Sequence, residues 1–221
     1  MNVLGFIPAR AGSKSILGKN KLKISGKPLV RWVVDAANKS KTLSYLICST
    51  DDAEVATLCK NDAYIVKRPK RLAQGNRPIH EVIQHAINGV SWDIVVLLQP
   101  TSLFVRPQDI DDCVDILMNY PHYNSAQTIA RMPHNHHAFN QRFIVGDRVE
   151  FMFKEERKRC FNKQTKPELF VFGNVVATRV SALDAGVFAE PSFPILIPRE
   201  YAFDLDGPED LEWLRKNKSE S

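Results

Sequence analysis

Five consecutive apolar residues, Ile94-Val95-Val96-Leu97-Leu98, lie between Asp93 and Gln99. A run with no polar alternation has both faces covered, the habit of a central strand in a parallel sheet. Less uniformly apolar stretches at residues 3–7, 44–49 and 63–66 read as further strands. Between them the period changes to that of a helix. Leu29, Trp32, Val33, Ala36 and Ala37 recur on one helical face behind Pro28, a residue tolerated in a first turn. Asp51 or Asp52 is placed to cap a second helix running to residue 61. Helices are also expected over 81–89, 107–119 and 208–216. Strands alternating with helices of this length specify an α/β domain with a mainly parallel sheet.

The pattern changes after Ala130. Residues 131–170 are polar, contain Pro133 and Pro167, and hold hairpin-like stretches around Gly146-Asp147. They read as an arm inserted into a single domain spanning residues 1–221, with 169–177 returning to the sheet.

Composition narrows this picture. The chain has 221 residues, 44% of them hydrophobic, enough for one sizeable core. No apolar run is long enough to cross a membrane. The first residues lack a basic start and a small-residue cleavage site, so no signal peptide is read there. Cys48, Cys59, Cys113 and Cys160 are scattered and form no Cys-x-x-Cys pair. That usage points to a reducing, cytoplasmic setting and away from a disulfide framework or zinc ribbon. The formal net charge of +5 suits an anionic partner. Without a Lys/Arg block, nucleic acid is the weaker choice, and small phosphorylated or carboxylated ligands fit better.

Three polar motifs fall just beyond strand ends: Pro8-Ala9-Arg10, Ser49-Thr50-Asp51-Asp52 and Gln99-Pro100-Thr101-Ser102. Open parallel sheets bind ligands beyond the carboxyl ends of their strands. The first motif opens a loop carrying Arg10, Lys14 and Lys19 with Gly12, Ser13 and Gly18. Glycines let backbone N–H groups approach phosphate oxygens, and the cations balance the charge. The loop fails the Walker A pattern, because five residues separate Gly12 from Gly18 and Asn20 replaces the required Ser/Thr. A solvated basic loop is the alternative. Asp204-Leu205-Asp206 puts two carboxylates on one side of an extended segment. They suit a magnesium ion that also holds substrate phosphates; spacing alone favours the plainer reading, in which Asp206 and Gly207-Pro208 make a turn and cap the last helix. Gln99, Thr101 and Ser102 could read a base or sugar, or form a plain strand-to-helix turn. His134, His136 and His137 sit in a Pro/Asn-containing loop and read as solvated rather than metal-bound.

These residues together carry a resemblance. Residues 7–14, Ile-Pro-Ala-Arg-Ala-Gly-Ser-Lys, followed by Gly18-Lys19-Asn20, are similar to the signature loop of the acylneuraminate cytidylyltransferases. Ser49-Thr50-Asp51, Arg68-Pro69 with Leu72-Ala73, Leu98 through Ser102, and Asp204-Leu205-Asp206 before Pro208-Glu209-Asp210-Leu211 follow in the family's order. The resemblance implies a Rossmann-like three-layer fold with a small inserted dimerisation arm. It implies an enzyme that joins CTP to a 2-keto sugar acid, with a homodimer as the working form. Arg10, Lys19 and Asp206 would be catalytic. Ala9, Arg10, Ser13, Lys14, Lys19, Asn20, Arg68 and Gln99 would contact the nucleotide. Gln99, Thr101, Ser102 and Asn174 would contact the sugar, and Asp204 and Asp206 would hold Mg2+. The chain departs from the family at Ser15 and Leu17, where glycine and proline are usual, and at Leu103-Phe104-Val105, which puts Arg106 one place late. Pro78-Ile79 and Thr178 replace a serine near the base and a tyrosine near the sugar.

Overall fold

The computed structural model describes residues 1–13, 15–87 and 89–218, with side chains described through 216. The chain runs β1 (Val3–Pro8), β2 (Lys23–Ile24), β3 (Lys27–Pro28), α1 (Leu29–Ala37), β4 (Tyr45–Thr50), α2 (Ala53–Cys59) and β5 (Tyr64–Lys67). It continues with α3 (Ile79–Ile87), β6 (Ile94–Leu98), α4 (Pro107–Asn119), β7 (Ser125–Arg131), β8 (Arg142–Val145), β9 (Arg148–Phe151) and α5 (Lys154–Arg159). The last elements are β10 (Phe170–Arg179), β11 (Ser192–Leu196) and α6 (Pro208–Lys218).

One seven-stranded sheet, ordered β11-β7-β10-β6-β1-β4-β5, organises the molecule. β5, β4, β1 and β6 pair in parallel, β10 runs antiparallel to both of its neighbours, and β11 is parallel to β7. The expected mainly parallel α/β sheet is therefore present. Alternate side chains of each strand feed opposite layers. Val3 and Ile7 of β1 join α1, α2 and α4 in one core, while Leu4 and Phe6 join α3 on the other face. This gives three layers with the sheet in the middle. No described helix is long and apolar enough to cross a membrane.

Three features were not read from the sequence. β7 and β11 extend the sheet beyond β10, and the β2–β3 ribbon leads into α1. The expected cap at α2 is Asp52, whose carboxylate accepts from the backbone of Glu54 and Val55. The hairpin around Gly146-Asp147 is β8–β9, within residues 132–169 that leave the sheet between β7 and β10.

One polar hub fastens α4 to the turn before β4. Asp111, 6% exposed, accepts from the hydroxyls of Ser40 and Thr42 and from the backbone N–H groups of Lys41 and Thr42. Burial alone would raise its pKa, but these donors hold the carboxyl below its usual range. A third, smaller core of Ile24, Leu29, Leu103, Leu205 and Leu214 packs β2, α1 and α6 together beside the loop after β6. Full burial of Leu205, at 0% exposed, is worth about 1.5–3 kcal/mol. That leucine fixes the segment on which the two flanking aspartates ride.

Candidate functional site

The carboxyl ends of β1, β4 and β6 lie side by side, because β1 pairs with both of the others. The polar motifs that follow these strands are thereby gathered at one end of the sheet. A cleft of about 300 Å³ opens there, lined by Pro8, Arg10, Ser13, Lys19, Asn20, Gln99 and Thr101. Ile79, Leu97, Val187 and Phe188 form its apolar wall. A neighbouring depression of about 590 Å³ shares Arg10, Ser13 and Lys19 and adds Ser15, Gly75 and Asn76. A separate groove of about 480 Å³ between Tyr45 and Tyr64 lies at the opposite ends of β4 and β5 and gathers none of these motifs.

The loop after β1 is shaped by its own polar contacts. Ala9 is fully buried and its N–H donates to Ser49 O at 3.0 Å, prolonging the β1–β4 pairing. The N–H of Ala11 then donates to Asp51 Oδ1 at 2.8 Å, and Asn20 Nδ2 donates to Arg10 O at 2.9 Å. Gly18 has φ 64°, in the left-handed region where glycine carries no Cβ penalty. Arg10 itself makes one long contact, Nη1 to Ala73 O at 3.3 Å. Lys14 lies outside the described residues.

The acidic segment sits beside the loop after β6. Leu205 N–H donates to Thr101 O at 3.0 Å, and Ser102 Oγ donates to Asp204 Oδ1 at 3.1 Å. Asp206 is exposed. Burial raises the Asp204 pKa, and the charge of Asp206 adds to the rise against hydrogen bonds from Thr101 and Ser102. The carboxylate that closes the turn before α6 is that of Asp210, which accepts from the N–H groups of Asp206 and Gly207 at 2.9 and 2.8 Å. The alternative that Asp206 caps the last helix is thereby corrected. Lys19, 8% exposed, spans the two parts of the site, donating from Nζ to Leu205 O at 2.8 Å and Asp206 O at 3.0 Å.

Other expected site residues are placed differently. Arg68 is 5% exposed and donates to Ser49 Oγ and Ser49 O at 3.1 and 2.9 Å. It braces the end of β4 behind Arg10 rather than lining the cleft. Asn174 is fully buried: its side chain accepts from Thr128 Oγ1 at 3.1 Å and donates to Tyr201 O at 2.9 Å. Gly173 beside it leaves room for that packing, since a Cβ there would lie 2.5 Å from Thr128 Oγ1. Thr178 is also internal and donates to Val187 O, tying β10 to the apolar wall of the cleft. Arg106 pairs with Asp109 at the start of α4 and stacks over Tyr201 at 4.2 Å.

The histidine cluster is not uniformly solvated. His137 is 5% exposed, with Nε2 at 3.0 Å from Pro167 O and Nδ1 accepting from Phe139 N at 3.1 Å. It pins the base of residues 132–169. Among the described residues no group of three or more His, Cys, Asp or Glu side chains is arranged to hold a metal. Sequence reasoning missed Val187 and Phe188, and it did not foresee what Asp51 holds. Asp51 was visible as part of a motif after β4, but its role in pinning the loop depends on a contact across forty residues.

A family model described as Cytidylyltransferase matches residues 4–167. The CMP-N,N'-diacetyllegionaminic acid synthase of Legionella pneumophila subsp. pneumophila is 37% identical over 123 residues, covering 52% of this chain and 53% of that protein. The N-acylneuraminate cytidylyltransferase of Escherichia coli is 30% identical over 131 residues, covering 58% of this chain and 31% of that protein. The chain thus matches these curated relatives over about half of their length or less. Among solved structures, a CMP:2-keto-3-deoxy-manno-octonic acid synthetase complexed with CTP superposes with a TM-score of 0.74 at 17% identity, covering 100% of this chain and 99% of that one. That likeness shows the fold.

Proposed function

The chain belongs to the cytidylyltransferase family, and from that premise we propose that it transfers CMP from CTP to an acidic 2-keto sugar of the nonulosonic class. The observation that carries the reading is the cleft itself. Arg10, Ser13, Lys19, Gln99 and Thr101 line it together, and Lys19 ties the loop to the segment of Asp204 and Asp206. Cations beside an acidic pair suit a triphosphate with its divalent ion.

In the proposed step, the anomeric hydroxyl of the sugar attacks the α-phosphorus of CTP in line. A new P–O bond forms, the bond to the bridging α–β oxygen breaks, pyrophosphate leaves, and the hydroxyl proton is released. Such transfers depend mostly on positioning and charge stabilisation. Arg10 would hold phosphate oxygens, with Ser13 and Asn20 shaping the loop around them. Gln99 and Thr101 would orient base or sugar from the end of β6.

Asp204 and Asp206 fit Mg2+. They are two neighbouring carboxylates, and magnesium is commonly held by one or two carboxylates plus substrate phosphates rather than by a full protein cage. When bound, the ion would neutralise charge on the phosphates. Asn174 spends its side chain on Thr128 and Tyr201 and does not line the cleft.

The reading is tested by measuring pyrophosphate release from CTP and Mg2+ against legionaminic, sialic, pseudaminic and 3-deoxy-manno-octulosonic acids. Release is expected with a nine-carbon acid. Release with 3-deoxy-manno-octulosonate alone would move the substrate to that class, and none with any acid, while CTP still binds, would favour a nucleotide-binding relative without turnover.

Residues 132–169 support a second copy of the chain as partner. Ile144 and Val149 of the β8–β9 hairpin are 78% and 66% exposed, and Phe161 beyond α5 is 69% exposed. Exposed apolar side chains gathered on one arm suit an interface. Sedimentation velocity at micromolar concentration is expected to give a dimer that Ile144→Asp shifts to monomer. A monomer for the unaltered chain would refute this.

A further inference from the structure

The turn at Lys19-Asn20-Lys21 is tied in three directions. Lys19 Nζ holds the carbonyls of Leu205 and Asp206. Asn20 Nδ2 holds the carbonyl of Arg10. Lys21 Nζ reaches the carboxylates of Asp52 and Glu54 at 3.2 and 3.0 Å. One short turn therefore joins the loop after β1, the acidic segment and the turn after β4.

Lys19 is the member with an unmet need. It is 8% exposed, and among the described residues no carboxylate closes an ion pair with it. Two carbonyl oxygens satisfy two of its three donors, and the charge of Asp204 acts on it without contact. A buried ammonium that no carboxylate touches is costly, and an anion in the cleft relieves that cost. Meanwhile the same two hydrogen bonds fix the backbone from which the two aspartates project. Leu205 is locked below by the apolar pocket and beside by its N–H to Thr101 O.

We propose that Lys19 is a positioning residue that couples triphosphate binding to the acidic segment. It aligns the backbone bearing Asp204 and Asp206, and the triphosphate supplies its counter-charge. The proposal rests on the reading of CTP and a divalent ion given above. Because coupling between two ligands is reciprocal, the ion strengthens nucleotide binding by the factor with which the nucleotide strengthens binding of the ion.

The test uses the full chain, CTP and Mn2+ as the probe ion, without sugar acid so that nothing turns over. CTP affinity is measured calorimetrically with and without Mn2+, and Mn2+ affinity by electron paramagnetic resonance. The sign separates two roles. If Lys19 were a bare cation beside the acidic pair, Lys19→Met would remove a repulsion and leave Mn2+ bound as tightly or more tightly. If Lys19 aligns the pair, Mn2+ binding weakens in spite of that lost repulsion, and the strengthening of CTP by Mn2+ falls by about fivefold or more. Lys19→Gln, which keeps a donor for one carbonyl, is expected to fall between the two and serves should the methionine variant not fold. Combined with Asp206→Asn, the Lys19→Met effect on the Mn2+ enhancement should largely vanish, since both act on the same segment. Unchanged or tighter Mn2+ binding in both variants overturns the proposal. Failure of the unaltered chain to bind CTP overturns the functional reading, and the proposal with it.

Discussion

Asp206→Asn is expected to lower pyrophosphate release by about 10²–10³-fold, the loss typical of removing one group that stabilises transition-state charge. The substitution isolates chemistry from folding. The Asp206 side chain is exposed, and the turn before α6 is closed by its backbone N–H on Asp210 rather than by its own carboxylate. Asparagine preserves size and that backbone contact, so thermal stability should change little; exposed substitutions of this kind usually stay within about 0.5 kcal/mol. The measurement is steady-state pyrophosphate release across a Mg2+ titration, paired with a melting curve. A rate within threefold of the unaltered chain would remove Asp206 from the machinery and support the reading of a nucleotide-binding relative that does not turn over. An intermediate result is informative too: a deficit that closes at high Mg2+ places the residue in holding the ion rather than in shaping the cleft.

The cleft end of the sheet was legible in the sequence because its signals are local. Each polar motif stands directly after an apolar run, and the runs at β1, β4 and β6 are unbroken. What was not legible depends on partners far along the chain. β7 reads as polar because Ser125 and Thr128 point inward, yet both are fully buried and bonded, Ser125 to Ala189 O and Thr128 to the backbone and side chain of Asn174. Hydrophobic periodicity has no means to register a hydroxyl satisfied by a partner 46 or 64 residues on. β11 carries Pro194 and lies at the sheet edge, where proline is tolerated but weakens the strand signal.

The same distinction separates the site residues. Asn174 and Arg68 were both expected at the site from the resemblance, but residue type does not reveal whether a polar group is spent inside. Asn174 bridges β7 and the segment at Tyr201, and Arg68 holds Ser49. Lys19 shows the converse. Its charge was visible, whereas its two carbonyl acceptors lie 186 and 187 residues away. Motif order thus identified the family and the cleft, while tertiary contacts decided which of the matched side chains remain free to meet a ligand.

Arg10 lines the cleft with most of its donors unspent, and Arg10→Ala is expected to reduce kcat/KM for CTP by about 10²-fold or more. Its guanidinium presents five donors. The structure engages one of them, at 3.3 Å to Ala73 O, and among the described residues no carboxylate forms an ion pair with it. Arg68 behind it adds a second positive charge, and burial followed by the charge of Arg10 lowers the Arg68 pKa. Two like charges kept close at the end of a parallel sheet, with Asp51 the facing anion, create a potential suited to a polyanion. Each charge-assisted hydrogen bond to phosphate contributes about 1.5–3 kcal/mol, so losing a two-pronged grip accounts for the expected factor. Arg10→Lys should recover part of the loss, because an ammonium keeps the charge but not the planar fork. Neither variant should unfold the chain, since Arg10 contributes one long hydrogen bond to its stability. The check is CTP-dependent pyrophosphate release together with CTP affinity by calorimetry. If Arg10→Ala left both within threefold of the unaltered chain, the loop after β1 would be a solvated basic loop, and the triphosphate would have to be held elsewhere.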